Sequence, residues 1–290
     1  MSERKGIILA GGLGSRLYPL TIESSKQLLP IYDKPMIYYP LSILMLSGIK
    51  EIAVIVTPKH RSQYENLLGD GEQWGISLKF IEQSKPEGIA QAYTLAKDFL
   101  AGSPSVLILG DNIFYGQGLI KLLKSANKRT AKGTVFGYQV LDPERYGVVD
   151  FDEKGKVISI EEKPIKPTSN FAVTGLYFLD STASKRVESI APSSRGELEI
   201  TDLLESYLHD DLLDVELMGR GFSWLDTGTK DSLVEASEFV RTIQKRQGLS
   251  IGCPEEISLS QGWISKEKLK KSLVNIPEGD YRNYLKSLIE

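Results

Sequence analysis

Gly6-Ile7-Ile8-Leu9-Ala10-Gly11-Gly12-Leu13-Gly14-Ser15-Arg16-Leu17 decides how this 290-residue chain is to be read. Gly6 to Ala10 is a short apolar run opened by glycine, which predicts a buried strand. The strand runs straight into a turn with three glycines in four positions. Without Cβ atoms in the way, the backbone N–H groups of such a turn can close around an anion. Arg16 adds a planar, permanently charged donor. Ten residues later comes Lys26-Gln27-Leu28-Leu29-Pro30. A strand, a glycine turn, an arginine and a lysine in this order make a grip for a polyphosphate. An ordinary βα turn carries such glycines too, and Arg16 and Lys26 set this one apart.

Spacing tests two other phosphate motifs. A Walker loop places lysine directly after its second glycine; Gly6 and Gly11 have the right separation, but Gly12 stands where that lysine belongs. A dinucleotide fingerprint accepts Gly12 and Gly14 but meets Leu17 at its third glycine, which argues against a nicotinamide dehydrogenase.

Outward from the turn, apolar strands alternate with helical patterns. Met36 to Ser47 predicts a helix stopped by Gly48, and Ile52 to Val56 a buried strand. Leu78 to Ile81 is a further strand, Ile89 to Leu100 a helix, and Val106 to Leu109 a strand ending at Gly110-Asp111. This order predicts an α/β fold: a three-layer, Rossmann-like, mostly parallel sheet with helices on both faces. Ligands in such sheets bind beyond the carboxyl ends of the strands, where the Gly11 turn and Asp111 both lie. Thr134–Val140, Gly147–Phe151, Val157–Glu162 and Val173–Leu179 are short strands separated by turn residues, and they predict an antiparallel insert. Lys230 to Gln247 is a long helix. The expected division is residues 1–240 as the α/β unit with its insert and 241–290 as a helical extension.

Bulk properties exclude several classes. Net charge is −3, so no overall electrostatic case exists for nucleic acid or an anionic membrane. No apolar run reaches membrane-span length, and Met1 to Lys5 lacks the apolar stretch of a secretion signal. Cys253 is the only cysteine, which excludes an internal disulfide and fits a reducing compartment; the expectation is a cytoplasmic protein. With only His60 and His209, a histidine-rich metal site is excluded.

Two aspartates suit a hard cation. Asp111 ends a strand, and Asp226 lies in Ser223-Trp224-Leu225-Asp226-Thr227-Gly228, a turn after a short strand. Mg²⁺ takes one or two protein carboxylates and completes its octahedron with water and phosphate. Each aspartate alone also reads as a cap or turn residue. Glu161-Glu162-Lys163-Pro164 reads either as a solvated charge run or as a strand whose end aims Lys163 into the crevice. Gly147 and Gly175 sit within strands, where glycine marks a bulge or a close ligand. Gln83, in a segment leading to Gly88 and a helix, offers a donor and an acceptor side by side, matching the N3–H and carbonyl edge of thymine or uracil. A surface loop is the competing reading of that segment.

Together, Leu9–Arg16, Lys26–Pro30, Tyr32–Pro40, Gly110–Gly116, Glu161–Pro164, Arg195–Asp202 and Trp224–Thr229 closely resemble the sugar-1-phosphate nucleotidylyltransferases. The likeness runs from Lys5 to about Glu256, and the stretches Lys26–Pro30 and Asp33–Pro40 look like the thymidylyl branch. Around Gln117-Gly118 and after Ser258 the chain departs from the pattern.

The resemblance implies that dTTP and glucose 1-phosphate give dTDP-glucose and pyrophosphate, with Mg²⁺ as cofactor. It implies Arg16, Lys26 and Lys163 as catalytic residues, and Leu9, Gly11, Gly12, Gly14, Gln27, Gln83, Gly88 and Asp111 around the nucleotide. Asn112, Tyr146, Gly147, Glu162, Lys163 and Val173 would line the sugar site, and Asp111 and Asp226 would hold the metal. It further implies a homotetramer, inhibited by dTDP-rhamnose at a second site drawing on Tyr115, Gly116, Gly219, Arg220 and Glu256. A uridylyltransferase and a non-catalytic nucleotide-sugar-binding subunit are the alternatives. The latter would be expected to have lost Arg16, Lys26 or an aspartate, and this chain keeps them all.

Overall fold

The computed structural model describes residues 3–153 and 155–290. Thirteen strands follow in chain order: β1 (Lys5–Ala10), β2 (Pro30–Ile31), β3 (Lys34–Pro35), β4 (Glu51–Val56), β5 (Ser77–Glu82), β6 (Ser105–Leu109), β7 (Asn112–Gly116), β8 (Gly133–Gln139), β9 (Gly147–Phe151), β10 (Val157–Glu162), β11 (Phe171–Leu179), β12 (Leu213–Met218) and β13 (Phe222–Asp226). Nine of them form one sheet along the path β10-β9-β11-β6-β1-β4-β5, with β8 on β11 and β12 on β8. β1 lies parallel between β4 and β6, and β5 runs parallel to β4.

Alternation along these strands sends side chains to opposite faces. Ile8, Val54 and Ile108 join the core on one face, with Leu41, Leu44 and Tyr64 from the helices Tyr38–Leu46 and Arg61–Leu68. Ile7, Ile55 and Leu107 join the core on the other, with Tyr93, Val187, Leu203 and Tyr207 from the helices Gln91–Leu95, Ala183–Val187 and Ile200–His209. Burial on both faces is why these strands read as continuous apolar runs. It also makes the three layers expected of the sequence.

Several sequence expectations shift. The strands read as an antiparallel insert are a continuation of the main sheet: β11 pairs antiparallel with β6, and β12 returns parallel to β8. The helix expected over Met36–Ser47 begins at Tyr38, because Lys34-Pro35 closes a hairpin with Pro30-Ile31 and Met36 N–H still donates to Leu29 O at 2.9 Å. The helix expected over Ile89–Leu100 is two short ones, separated at Ala96. Asp226 is the last residue of β13 rather than a turn residue beyond it, and it stands opposite Asn112 of β7.

One feature of β11 makes the site. β9 pairs its first residues, Phe171 and Ala172, and β6 pairs Leu176–Leu179. Val173 to Gly175 lies between the two pairings, and there the sheet opens into a cleft.

Arg4, buried at 6 % exposure, ties the parallel and antiparallel parts together. Its guanidinium donates to Ser105 O of β6 at 2.7 Å, Leu179 O of β11 at 2.6 Å and Arg129 O at 2.8 Å. The long helix Lys230–Gln247 starts at a capping box between Thr229 and Ser232. After it, short helices gather around a small separate core of Cys253, Ile264, Leu269, Leu273 and Leu285.

Candidate active site

The glycine turn owes its shape to what crowds it. A Cβ on Gly11 would sit 1.9 Å from Gln83 Oε1, so no larger residue fits while that amide is in place. Gly14 has φ 61, the left-handed region that favours glycine, and a Cβ there would meet Thr21 at 2.9 Å. Gly12 faces open space. Gly14 O accepts from Leu17 N–H at 2.9 Å and from Thr21 Oγ1 at 3.0 Å, which turns the chain into Ser15–Leu17. That turn projects Arg16 across to Gly228, where a Cβ would lie 3.1 Å from Arg16 Nη2 and 3.3 Å from Asp226 Oδ1. The arginine and the second aspartate thus flank one glycine.

Asp111 follows β6 and is held from several sides. Lys26, almost fully buried, forms an ion pair with its Oδ2. Asn112 Nδ2 donates to its Oδ1 at 3.0 Å, and Thr227 donates to its carbonyl through both N–H and Oγ1. Asn112 is itself fixed: its Oδ1 accepts from Gly175 N–H at 3.1 Å and Trp224 Nε1 at 2.6 Å. Burial, then the negative charge of Asp111, push the Asp226 carboxyl up to about 6, against the opposing pull of Lys26, Arg16 and Arg145. Two carboxylates sharing negative charge at one cleft wall are a donor set that fits a magnesium ion. Among the described residues no cluster of three His, Cys, Asp or Glu side chains forms a closed metal cage. An octahedral ion there would take its remaining ligands from water or substrate.

Arg16, Asp111, Asn112, Tyr146, Gly147, Glu162, Lys163, Val173 and Asp226 all line one cleft of about 530 Å³. On its far wall, Lys163 follows β10 in a left-handed conformation, φ 44, unusual for a residue with a side chain. Its N–H donates to Tyr146 O at 3.0 Å, which holds that conformation, and Lys163 Nζ stands 3.1 Å from Glu162 Oε1. Strain of this kind concentrates at functional sites. Glu162 is also reached by Arg195 Nη2 at 3.2 Å and Thr201 Oγ1 at 3.4 Å. A Cβ on Gly147 would meet Thr201 at 2.9 Å. Tyr146 packs on Trp224, ring centroids 5.1 Å apart, and the Arg145 guanidinium lies over the Tyr146 ring at 5.5 Å.

The remaining nucleotide candidates lie beneath the turn. Gln83 and Gln91 are buried and bonded to each other. Gly88, φ 100, lies where a Cβ would strike Leu198 O at 2.3 Å, so chain packing alone demands glycine there. Gln27 is buried behind the cleft, its Oε1 accepting from Ser25 and Tyr64. Leu9 O accepts from Gly110 N–H at 2.9 Å and so fixes the approach to Asp111.

The candidate regulatory residues divide. Gly116 packs against Gly221, a Cβ there lying 2.9 Å from Gly221 O, which places Tyr115, Gly116 and the exposed Gly219-Arg220 turn together. Tyr115 also donates to Gln247 Oε1 at 2.9 Å. Glu256 sits with the C-terminal helices and accepts from Tyr284 at 2.7 Å.

Sequence reasoning passed over Arg145, Thr201 and Tyr177, which line the cleft, and Gln91, which bonds to Gln83. Arg145 directly precedes Tyr146-Gly147, and that neighbour was the available signal. Gln91 stood in the quoted Gln83–Ala92 segment, and its partner Gln83 was the available signal.

Comparison with known proteins decides the family. A model of the nucleotidyl transferase family matches residues 5–243. The chain belongs to that family. Among its relatives, the glucose-1-phosphate thymidylyltransferase of Xanthomonas campestris pv. campestris is 57 % identical over 288 residues, 99 % of this chain and 98 % of the other. Those of Neisseria meningitidis and Mycobacterium tuberculosis are 52 % and 47 % identical, each over 99 % of both chains. A solved Bacillus anthracis structure, assigned to the same activity and crystallised with sucrose, has 41 % identity and a TM-score of 0.75, covering 82 % of this chain and 95 % of that one. A UDP-glucose pyrophosphorylase complexed with UDP-glucose, 23 % identical, shares the fold at a TM-score of 0.73 over 83 % of this chain and all of that one. This nucleotidyl transferase is therefore an enzyme of the α/β class, and no described helix is long and apolar enough to cross a membrane.

Proposed function

We propose that this enzyme transfers dTMP from dTTP to glucose 1-phosphate, releasing pyrophosphate and forming dTDP-glucose. The observation that carries the reading is the single cleft that Arg16, Asp111 and Asp226 line together with Glu162, Lys163 and Gly147. Near-full-length relatives named for this activity support the choice of substrates.

The chemistry needs no general base. A phosphate monoester has its second pKa near 6, so the attacking oxygen of glucose 1-phosphate is already anionic at neutral pH. It forms a bond to the α-phosphorus while the bond from that phosphorus to the bridging oxygen breaks, and pyrophosphate leaves with the electron pair. The protein's task is in-line placement and charge neutralisation. The Gly11–Gly14 amides cradle the triphosphate, and Arg16 meets the charge that grows on the leaving group. Lys26 stands at the α-phosphate and Lys163 at the sugar phosphate. Glu162 and the Gly147 and Val173 backbone bind sugar hydroxyls. Asp111 and Asp226 would hold Mg²⁺, which neutralises phosphate charge when bound. Assembly as a homotetramer belongs to the same proposal.

Pyrophosphate release measured with each of four nucleoside triphosphates and several sugar 1-phosphates tests the reading, with light scattering for the assembly. The expected preferred pair is dTTP with glucose 1-phosphate. A clear preference for UTP would make it a uridylyltransferase, and no release with any pair would make it a binding protein.

A further inference from the structure

Beneath the glycine turn, two groups act in one direction only. The backbone N–H of Glu87 can only donate, and its ionised carboxylate can only accept. Gln91 is caught between them: its Oε1 accepts from Glu87 N–H at 3.0 Å, and its Nε2 donates to Glu87 Oε2 at 2.7 Å. The amide of Gln91 therefore has one permitted orientation, and the oxygen is the atom it turns to Gln83. Gln83 answers with its nitrogen, Nε2 donating to Gln91 Oε1 at 2.6 Å. Gln83 Oε1 is then left facing the Gly11 turn, where it occupies the space a Cβ would need. Gln83 is 2 % and Gln91 9 % exposed, so the link between them is shielded from water, while Glu87 at the outer end is exposed. Among the described residues no donor satisfies that oxygen.

We propose that Gln91 is a positioning residue for base selection: it turns Gln83 so that an acceptor, with one spare amide N–H beside it, meets the incoming base. The fitting partner is a ring N–H next to a carbonyl, as thymine and uracil carry at N3. Cytosine presents a bare N3 acceptor and would set oxygen against nitrogen lone pair. This rests on the nucleotidyl transfer proposed above and adds the residue that gives Gln83 its polarity.

The test is kcat/KM with dTTP and with dCTP for the wild type, for Gln91→Leu, and for the paired exchange Gln91→Glu with Glu87→Gln. Gln91→Leu frees the Gln83 amide to turn, and the dTTP/dCTP ratio should fall about tenfold or more, since discrimination that rests on buried hydrogen bonds is lost when they are. The paired exchange keeps an acceptor toward Gln83 and reverses only the outer bond, so the ratio should stay within about threefold of wild type. A ratio unchanged in Gln91→Leu, or equal losses on both nucleotides, would overturn the role of Gln91. So would collapse of the ratio in a paired exchange that melts like the wild type, which keeps the proposal open to refutation if Gln91→Leu does not fold. A wild type that releases no pyrophosphate from dTTP would overturn the catalytic reading as well.

Discussion

Lys26 and Lys163, proposed for the nucleotide wall and the sugar wall of the site, differ in their surroundings. Lys26 lies in the parallel part of the fold with 7 % of its side chain exposed, locked against Asp111. Lys163 stands on the antiparallel side with 46 % exposed, on a left-handed backbone, with Glu162 as a loose neighbour. Removing one partner of a buried pair strands the other charge, whereas an exposed pair contributes little. On the proposed nucleotide side the Lys26–Asp111 pair is thus already formed before substrate arrives. On the proposed sugar side Lys163 keeps nearly half of its side chain open to solvent, while Glu162 is already shared with Arg195 and Thr201.

The sharpest way to break this comparison is at the aspartates. Asp111→Asn and Asp226→Asn should each lower turnover roughly 10³-fold, and a chelator should abolish it, because each removes charge stabilisation worth several kcal/mol. Near-normal turnover by either variant at saturating Mg²⁺ would show that the carboxylates only shape the wall.

Next comes Arg16→Ala, expected to cost roughly 10²-fold in kcat with little change in either KM, since the charge it meets grows mainly in the transition state. A rise in the dTTP KM at constant kcat would place Arg16 in ground-state binding instead. Lys163→Ala should act on the other wall and raise the KM for glucose 1-phosphate about tenfold. If the dTTP KM rose and the sugar-phosphate KM did not, the two walls would have to be exchanged.

The smallest effect concerns neither wall. Arg220, exposed in the turn beside Gly116, should matter for control: Arg220→Ala is expected to weaken inhibition by dTDP-rhamnose about fivefold with turnover intact. Purely competitive inhibition that the substitution leaves untouched would mean that only the cleft binds nucleotide.

The same contrast explains what was legible in the sequence. β1, β4 and β6 are buried on both faces, so Ile7 to Leu9, Ile52 to Val56 and Val106 to Leu109 read as unbroken apolar runs. β12 gave no such signal: Leu213-Asp214-Val215-Glu216-Leu217 alternates at the sheet edge, half solvated. β7 was hidden because Asn112, a polar residue, is buried only through bonds to Trp224, Gly175 and Asp111 that lie far apart in sequence. The helix Leu119–Lys128 carries a readable pattern, with Leu119, Leu123 and Ala126 on one buried stripe. Arg145 and Gln91 could not be assigned from spacing. Arg145 enters the cleft because Tyr146 packs on Trp224, and Gln91 matters only through Gln83. A resemblance carried whole motifs to the site; the bonds that orient their side chains came from tertiary packing.

The 1.9 Å between a Cβ on Gly11 and the Gln83 oxygen has a bearing on how this enzyme can evolve. The turn expected to cradle phosphate and the amide expected to read the base occupy the same few cubic ångströms. A mutation to alanine at Gly11 is a collision while glutamine stands at 83, and a shorter residue there removes the amide clash but leaves a tight 3.2 Å contact with the Cβ of residue 83. The reverse order passes through a displaced amide and a distorted turn. Contacting sites of this kind do not add their effects. A lineage that changes its nucleotide therefore meets less resistance by altering the base reader before the loop, and a library that varies Gly11 alone should be strongly enriched in glycine.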